Sequence, residues 1–338
     1  MHFYMLAGIA CGICDFQPET RQRQLTPAKT LRMETVKISH DRGSSAGKQS
    51  KVCLIFATRG RAELLKHVVA FVDLQTVKPA LIIVSCVSDE DTGDLASQPG
   101  MLVIKGKPGS SAQRNTALNH VPEDFDVVIF LDDDFLMHST WISEILKVMD
   151  SDPSIACITG TVLADGIHGP GYSFEEGRAI LAGTREIPER LIAVPTGGPY
   201  GCNMAFRARS IAGVRFDERL VLYGWQEDRD FGGQIWNLGG RVVRVNTALG
   251  VHLGAKRGRV SGRKFGYSQV INPLYLVRKK TMPLRDALKH VLRNVASNIM
   301  RSIAPEPWVD RRGRLSGNLI GLWDFVRGKL TPERAAKL

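Results

Sequence analysis

The sequence predicts an α/β protein built on a doubly wound, mostly parallel central sheet with helices on both faces. Three observations carry this. Short continuous apolar runs recur between residues 51 and 161, segments with helical spacing alternate with them, and polar clusters sit directly after the runs. An unbroken apolar run suits a strand buried on both faces, and strands alternating with helices imply parallel pairing through crossovers.

The first strand is Val52-Cys-Leu-Ile-Phe-Ala57, ended by Thr58-Arg-Gly-Arg61. Ala62 to Leu74 then carries Leu64, Leu65, Val68, Val69 and Val72 at helical spacing. Pro79 precedes a second strand, Ala80 to Ser85; Met101 to Ile104 is a third, and Ser111 to Asn119 reads as a helix. Val127-Val-Ile-Phe-Leu131 is a fourth strand running into Asp132-Asp133-Asp134, Trp141 to Met149 is helical, and Ile155 to Thr161 is a fifth strand. In open parallel sheets ligands bind outside the carboxyl ends of strands. Thr58-Arg59, Ser85 to Asp91 and Asp132 to Asp134 all fall at such ends and converge on one edge.

Composition narrows the class. The 338 residues are 43% apolar and 23% charged, which excludes collagen, a disulfide scaffold and disorder throughout. No run reaches the ~18–20 apolar residues of a membrane-spanning helix. The formal net charge is +11, but it is unevenly placed. Residues 256–338 hold 19 Lys+Arg against 5 Asp+Glu, and residues 1–255 hold 26 against 29. The body is slightly acidic and the last quarter carries the excess, which points to an appended surface for an anionic partner.

At the N-terminus, Phe3 to Cys14 is an apolar run without the positive flank of a signal peptide, and Gln17 to Ser50 is polar and linker-like. Residues 1–50 read as a poorly ordered extension, with Met33 as an alternative start. Cys11 and Cys14 form a lone C-x-x-C, too little for a zinc site. Cys53, Cys86 and Cys157 lie in apolar runs as buried thiols, and Cys202 sits in a Gly-rich loop; reduced cytoplasmic chemistry is expected.

Three consecutive carboxylates at the mouth of a buried strand repel one another unless a cation lies among them. Their hard oxygen atoms suit Mg²⁺ or Mn²⁺ bridging to substrate phosphates, and the plain alternative is a solvated acidic turn. Further along come Thr196-Gly-Gly-Pro-Tyr-Gly-Cys-Asn203 and Gly224-Trp-Gln-Glu-Asp-Arg-Asp230. Glu227-Asp228 alone reads as negative charge at a helix start, His252 alone as a core histidine, Arg114 as a partner for a surface acid, and Gly197–Gly201 as a turn.

Taken together and in order, these pieces resemble an inverting GT-A-fold glycosyltransferase of the large family that includes cellulose, chitin and exopolysaccharide synthases, the family 2 type. The matching segments are the Thr58-Arg59 loop, Gly109-x-x-Ala112-x-Arg114-Asn115, Leu131-Asp-Asp-Asp134, Gly197-Gly198, Asn203-Met-Ala-Phe-Arg207, Glu227-Asp228 and His252. The resemblance implies a D-x-D motif in Asp132 and Asp134, with Asp132 near the ribose and Asp134 on the metal, and His252 as a further metal ligand. It implies Asp228 as the base for the acceptor hydroxyl, with Glu227, Trp225 and Gly198 on the acceptor. Thr58, Arg59, Ser88, Arg114, Asp132 and Asp133 would face the donor, and the loop with Lys256, Arg257 and Arg259 would close over its diphosphate. One departure stands out: where the family pattern has an acid after the second strand, this chain has Ser85, so UDP is a default and not a deduction.

Physical chemistry asks for the same parts. Leaving of a nucleoside diphosphate needs charge neutralisation, and inversion needs one carboxylate on the opposite face of the sugar. The expected division is therefore 51–160 for the nucleotide sugar, 161–255 for acceptor and catalysis, and 256–338 as a helical basic extension. The expected partners are a nucleotide-sugar donor and a glycan or polyprenyl-linked saccharide acceptor of cell-surface or exopolysaccharide synthesis. A nucleotidyltransferase is the competing enzyme, although Thr58-Arg-Gly-Arg61 is a poor triphosphate loop; a non-catalytic sugar-nucleotide or glycan-binding module is the other alternative. In the extension, Leu284, Leu288, Val291, Leu292, Val295, Ile299 and Ile303 align on one helix face beside Arg285, Lys289, Arg293 and Arg301, and Leu315 to Val326 repeats the mixture. An anionic membrane surface, on the cytoplasmic face, is the favoured partner over packing on the domain. Nucleic acid is not expected, because no binding motif or aromatic-basic interleaving appears.

Overall fold

The computed structural model describes residues 36–37, 50–184, 188, 190–256 and 260–338. Most of the expected N-terminal extension, including Cys11, Cys14 and Met33, lies outside the described residues, as do Arg257 and Arg259. The elements run β1 (Val36–Lys37), β2 (Val52–Ala57), α1 (Ala62–Val72), β3 (Leu81–Cys86), β4 (Met101–Lys105), α2 (Ser110–Leu118), β5 (Val127–Asp132), β6 (Phe135–Met137) and α3 (Trp141–Ser151). They continue with β7 (Ile155–Asp165), α4 (Phe174–Ala182), β8 (Ile192–Pro195), β9 (Asn203–Arg207), α5 (Glu227–Asn237), β10 (Arg241–His252), α6 (Gly262–Lys279), α7 (Leu284–Arg301) and α8 (Arg311–Val326).

The strands form one sheet in the order β1-β8-β10-β7-β9-β5-β2-β3-β4, with β6 paired to β10. Strands β4, β3, β2 and β5 are mutually parallel, as are β7 and β10. This is the architecture the apolar runs predict. The antiparallel β9, wedged between β5 and β7, was not anticipated. Side chains along β2 alternate between two cores. Val52, Leu54 and Phe56 pack with Leu65 and Val69 of α1 and Trp141 and Ile145 of α3. Cys53 and Ile55 face Ala117 of α2 and Phe231 and Ile235 of α5. Helices therefore cover both faces, which is why the strand reads as an unbroken apolar run.

Beyond the sheet, α6 and α8 cross at very short range. A Cβ on Gly266 would lie 2.0 Å from the Arg314 carbonyl oxygen, and one on Gly317 would lie 2.0 Å from that of Arg263. Only glycine permits that approach. Buried polar side chains complete the joint: Asn298 donates to Asn318 Oδ1 at 2.8 Å, and Asn318 donates to the Gly266 carbonyl at 2.8 Å. No helix among the described residues is long and apolar enough to cross a membrane.

Candidate active site

Strand register assembles the site. Ala57 of β2 pairs with Asp132 at the end of β5, so the loop after β2 meets the Asp triplet. Thr58 Oγ1 donates to Asp133 Oδ2 at 2.6 Å, and Arg61 lies 2.8 Å from Asp133 Oδ1 and 3.4 Å from Asp134 Oδ2. Asp133 is fully buried and turned into this loop. Burial pushes its carboxyl up, against the pull of Arg61. The alternation along a strand end leaves Asp132 and Asp134 on the other side.

His252 reaches them because β10 pairs on two sides. It is opposite Phe135 of β6, the residue after Asp134, and opposite Asp165 at the end of β7. One ligand atom from each of Asp132, Asp134 and His252 lies within 4.8 Å of the others. His252 Nε2 is 3.4 Å from Asp134, and Nδ1 is 2.9 Å from Asp165 Oδ1. Asp165 Oδ2 in turn accepts from the Tyr200 hydroxyl at 2.7 Å. Burial would lower the His252 pKa, but hydrogen bonds to Asp134 and Asp165 outweigh it and raise it to about 10. Asp134 moves the other way: burial is overcome by His252, Arg61 and the Ala255 N–H (2.7 Å), which hold it at about 2. Two carboxylates and an imidazole form a donor set that fits Mn²⁺ or Mg²⁺ with substrate oxygens filling the remaining positions. The carboxylate behind His252 fixes its ring as metal-binding histidines require.

Arg114, on α2, ties this cluster to the helix start at Glu227. Its guanidinium contacts Glu227 Oε1, donates to Asp132 Oδ1 at 2.9 Å and to the Gly201 carbonyl at 3.1 Å, and lies 5.4 Å from the Phe216 ring centroid. Its partner is thus a buried acid and not a surface one. Gly201 N–H donates to Asp228 Oδ2 at 2.9 Å, and Arg229 N–H donates to Asp228 Oδ1 at 2.7 Å. Burial raises the Asp228 carboxyl, and these N–H groups oppose the rise. Gly198 packs directly on Arg229, where a Cβ would come within 2.7 Å of its side chain.

The loop before α5 is strained. Leu222 and Gln226 both hold left-handed φ, at 63° and 73°, flanking Trp225. Such non-glycine conformations persist where the surroundings enforce them and cluster at functional sites. Here Trp225 Nε1, Gln226 Oε1 and Asn272 Oδ1 are buried without a hydrogen-bond partner among the described residues. Asn272 Nδ2, from α6, donates to the Trp225 carbonyl at 2.8 Å, so the Asn272 side chain lies against the Trp225 backbone.

Other residues expected at the site are placed differently. Arg59 is exposed at the tip of the β2 loop. Ser88 donates through its N–H to Asp91 Oδ2 at 2.9 Å, and Asp91 Oδ1 accepts from Gly60 N–H at 2.6 Å, so Asp91 joins the two loops. Ser85 is buried, and its hydroxyl has no hydrogen-bond partner among the described residues. Lys256 Nζ donates to the Gly166 carbonyl at 2.8 Å. Sequence reasoning gave no role to Arg61, Asp91 or Asp165. Arg61, in the loop after the first strand, and Asp91, in the cluster after the second, carried a positional signal; Asp165 carried none.

Residues 89–214 match the family model described as Glycosyl transferase family 2. Over this segment the chain is similar to family 2 glycosyltransferases. The matched segment contains Arg114, the Asp triplet and Gly198, and it ends before Glu227, Asp228 and His252. Among solved structures, a mannosyltransferase from Pyrobaculum calidifontis, in complex with GDP-Man and Mn²⁺, superposes with TM-score 0.52 at 14% identity, covering 84% of this chain and 90% of its own. TarS of S. aureus superposes with TM-score 0.51 at 14% identity, covering 85% and 83%, and has also been solved with UDP-GlcNAc. These likenesses establish the GT-A fold of the chain. No curated protein matches the sequence.

Proposed function

We propose that the protein is an inverting, metal-dependent glycosyltransferase that moves a sugar from a nucleoside diphosphate to a hydroxyl of a glycan or lipid-linked saccharide in cell-surface or exopolysaccharide synthesis. The observation that carries the reading is Arg114, which joins the Asp132 cluster to Glu227 within one buried network next to Asp228. Asp132, Asp134 and His252 would hold the divalent ion, which supplies neutralisation of the leaving diphosphate. The mannosyltransferase neighbour carries Mn²⁺, and the imidazole ligand favours Mn²⁺ over Mg²⁺.

Asp228 takes the proton from the acceptor hydroxyl. The acceptor oxygen forms its bond to the anomeric carbon from the face opposite the diphosphate, and the carbon–oxygen bond to the diphosphate breaks with its electron pair. Glu227 is a poor base because Arg114 already occupies its carboxylate. Among the described residues Asp228 accepts from the backbone N–H groups of Gly201 and Arg229, and burial raises its basicity toward the working pH. The unpartnered atoms of Trp225, Gln226 and Asn272 are suited to sugar hydroxyls.

A panel of nucleotide sugars, with and without Mn²⁺ or Mg²⁺, tests this through release of nucleoside diphosphate. The neighbours carry guanosine and uridine donors, so the panel spans both bases. Metal-dependent turnover of at least one donor is expected, and none would overturn the reading. Asp228→Asn should bind donor as before while turnover falls by about 10²–10⁴-fold; full activity would move the base elsewhere.

A further inference from the structure

Most of the apolar row that the sequence aligns on α7 is not buried; Val291 and the half-buried Val295 turn inward, and the rest face out. The buried row of α7 is narrower, running through Ala287, Val291 and Asn298. Leu288, Leu292 and Ile299 each follow one position later, about 100° further round the helix, and they are exposed; Leu292 retains 67% of its accessible surface. Arg285, Lys289 and Arg293 come next round the wheel and are exposed too. On α8, Gly317, Asn318, Gly321 and Asp324 face inward, while Leu319, Trp323 (62% exposed) and Val326 face out.

The two exposed rows lie on one side. The chain reverses between the helices, with Arg311 at the start of α8 bonded to Asn298 Oδ1 at 3.1 Å, and the helices meet where Asn298 donates to Asn318. In an antiparallel pair, one step beyond the contact rotates both helices toward the same face, so Ile299 and Leu319 emerge together. Positions 288, 292, 323 and 326 fall within about 40° of that direction. Arg312 and Arg327 extend the basic border, and the Arg327 guanidinium lies 5.7 Å from the Trp323 ring centroid.

We propose that this α7–α8 face docks the protein on an anionic lipid bilayer, with the leucine, isoleucine and tryptophan side chains inserted at the headgroup level and the flanking cations on lipid phosphates. Charge decides the occupant. Apolar side chains rimmed by Arg and Lys, with a tryptophan among them, match the chemistry of an anionic membrane interface. A second copy of the chain seated on the same face would bring this basic border against itself. The docking surface stands apart from the transfer chemistry. One tie to the catalytic side rests on the proposed function: Asp286, in the first turn of α7, pairs with Arg229 at 3.1 Å, next to Asp228.

The test is flotation of the full chain with vesicles of phosphatidylcholine alone and with about 30 mol % phosphatidylglycerol, at low and high salt. Binding to the anionic vesicles, weakened by salt, is expected. The triple variant Arg285→Gln, Lys289→Gln, Arg293→Gln should weaken it by about a hundredfold. Leu292→Ser with Trp323→Ser should abolish insertion, read as loss of the tryptophan blue shift and of flotation. All five positions are exposed, so unchanged thermal melts accompany these results. Absence of binding to anionic vesicles at low salt overturns the proposal. So does binding that survives both variants. A dimer in sedimentation velocity that the Leu292/Trp323 pair dissolves, with no vesicle binding, overturns it in favour of self-association.

Discussion

Arg114→Met asks how much the link between the two halves of the site contributes. Arg114 is 3% exposed and its guanidinium faces Glu227, which is 7% exposed, with Asp132 at 2.9 Å on the other side. Methionine roughly replaces the volume but leaves a buried carboxylate without its counter-charge, a change that typically costs about 3–5 kcal/mol. At about 2 °C per kcal/mol for a chain of this size, the melting temperature should fall by about 6–10 °C. The loss should depend on pH. Burial already pushes the Glu227 carboxyl up from its ordinary value of 4.5, and removing Arg114 pushes it further. A carboxyl raised on folding contributes stability that is present below its unfolded pKa and lost as pH rises through the folded one. The penalty is therefore small at and below about pH 7 and grows as pH rises through about 8, where the folded Glu227 carboxyl loses its proton beside Arg114 but not without it. Urea unfolding at several pH values measures this, and adding Glu227→Gln to Arg114→Met should recover much of the loss. An unchanged midpoint, or a penalty independent of pH, would refute the claim that this pair is a buried ion pair joining the site.

Three further outcomes follow from the same geometry. Asp165→Ala should weaken Mn²⁺ binding by about 10–100-fold, measured by electron paramagnetic resonance of free Mn²⁺, because His252 loses the carboxylate that fixes its ring; unchanged affinity would make Asp165 a bystander. Mn²⁺ must displace the proton that His252 holds up to about pH 10, so affinity should rise by about tenfold per pH unit between about pH 6.5 and 8.5, and His252→Ala should flatten that slope. Gly317→Ala sets a methyl group against the Arg263 carbonyl oxygen and should cost about 1–3 kcal/mol by forcing α6 and α8 apart, seen as a lower urea midpoint and faster amide exchange in both helices.

How far the sequence was readable follows from what each element buries. Strands β2, β3 and β5 are covered on both faces, so their side chains had no choice but to be apolar, and their positions were legible to within a residue or two. The Asp triplet was legible because three adjacent carboxylates at a strand end have few bland explanations. Helix α6 was missed for the opposite reason. It is buried on nearly every side, carries Gly262, Gly266 and Pro273, and so shows neither amphipathic spacing nor strong helix propensity. Asp165 was invisible because its meeting with His252 depends on the register of β7 against β10, strands 87 positions apart in sequence at that pair. In α7 the apolar row was read correctly as a row, but its direction is set by Asn298, Asn318 and the glycine seam of α8.

That last point changes what the basic tail is for. A hydrophobic stripe on a terminal helix is ordinarily explained by the domain it packs on, and here the packing has its own, different solution. The α6–α8 joint is made from glycines and buried amides, residues that supply close approach and hydrogen bonds without consuming the leucines. Because the joint closes without them, Leu288, Leu292, Ile299 and Trp323 are left outward beside Arg285 and Lys289. Had those apolar residues been needed for stability, replacing them with serine would unfold the tail. The structure instead makes them removable, and that separation of folding from surface chemistry allows a vesicle assay to read the surface alone.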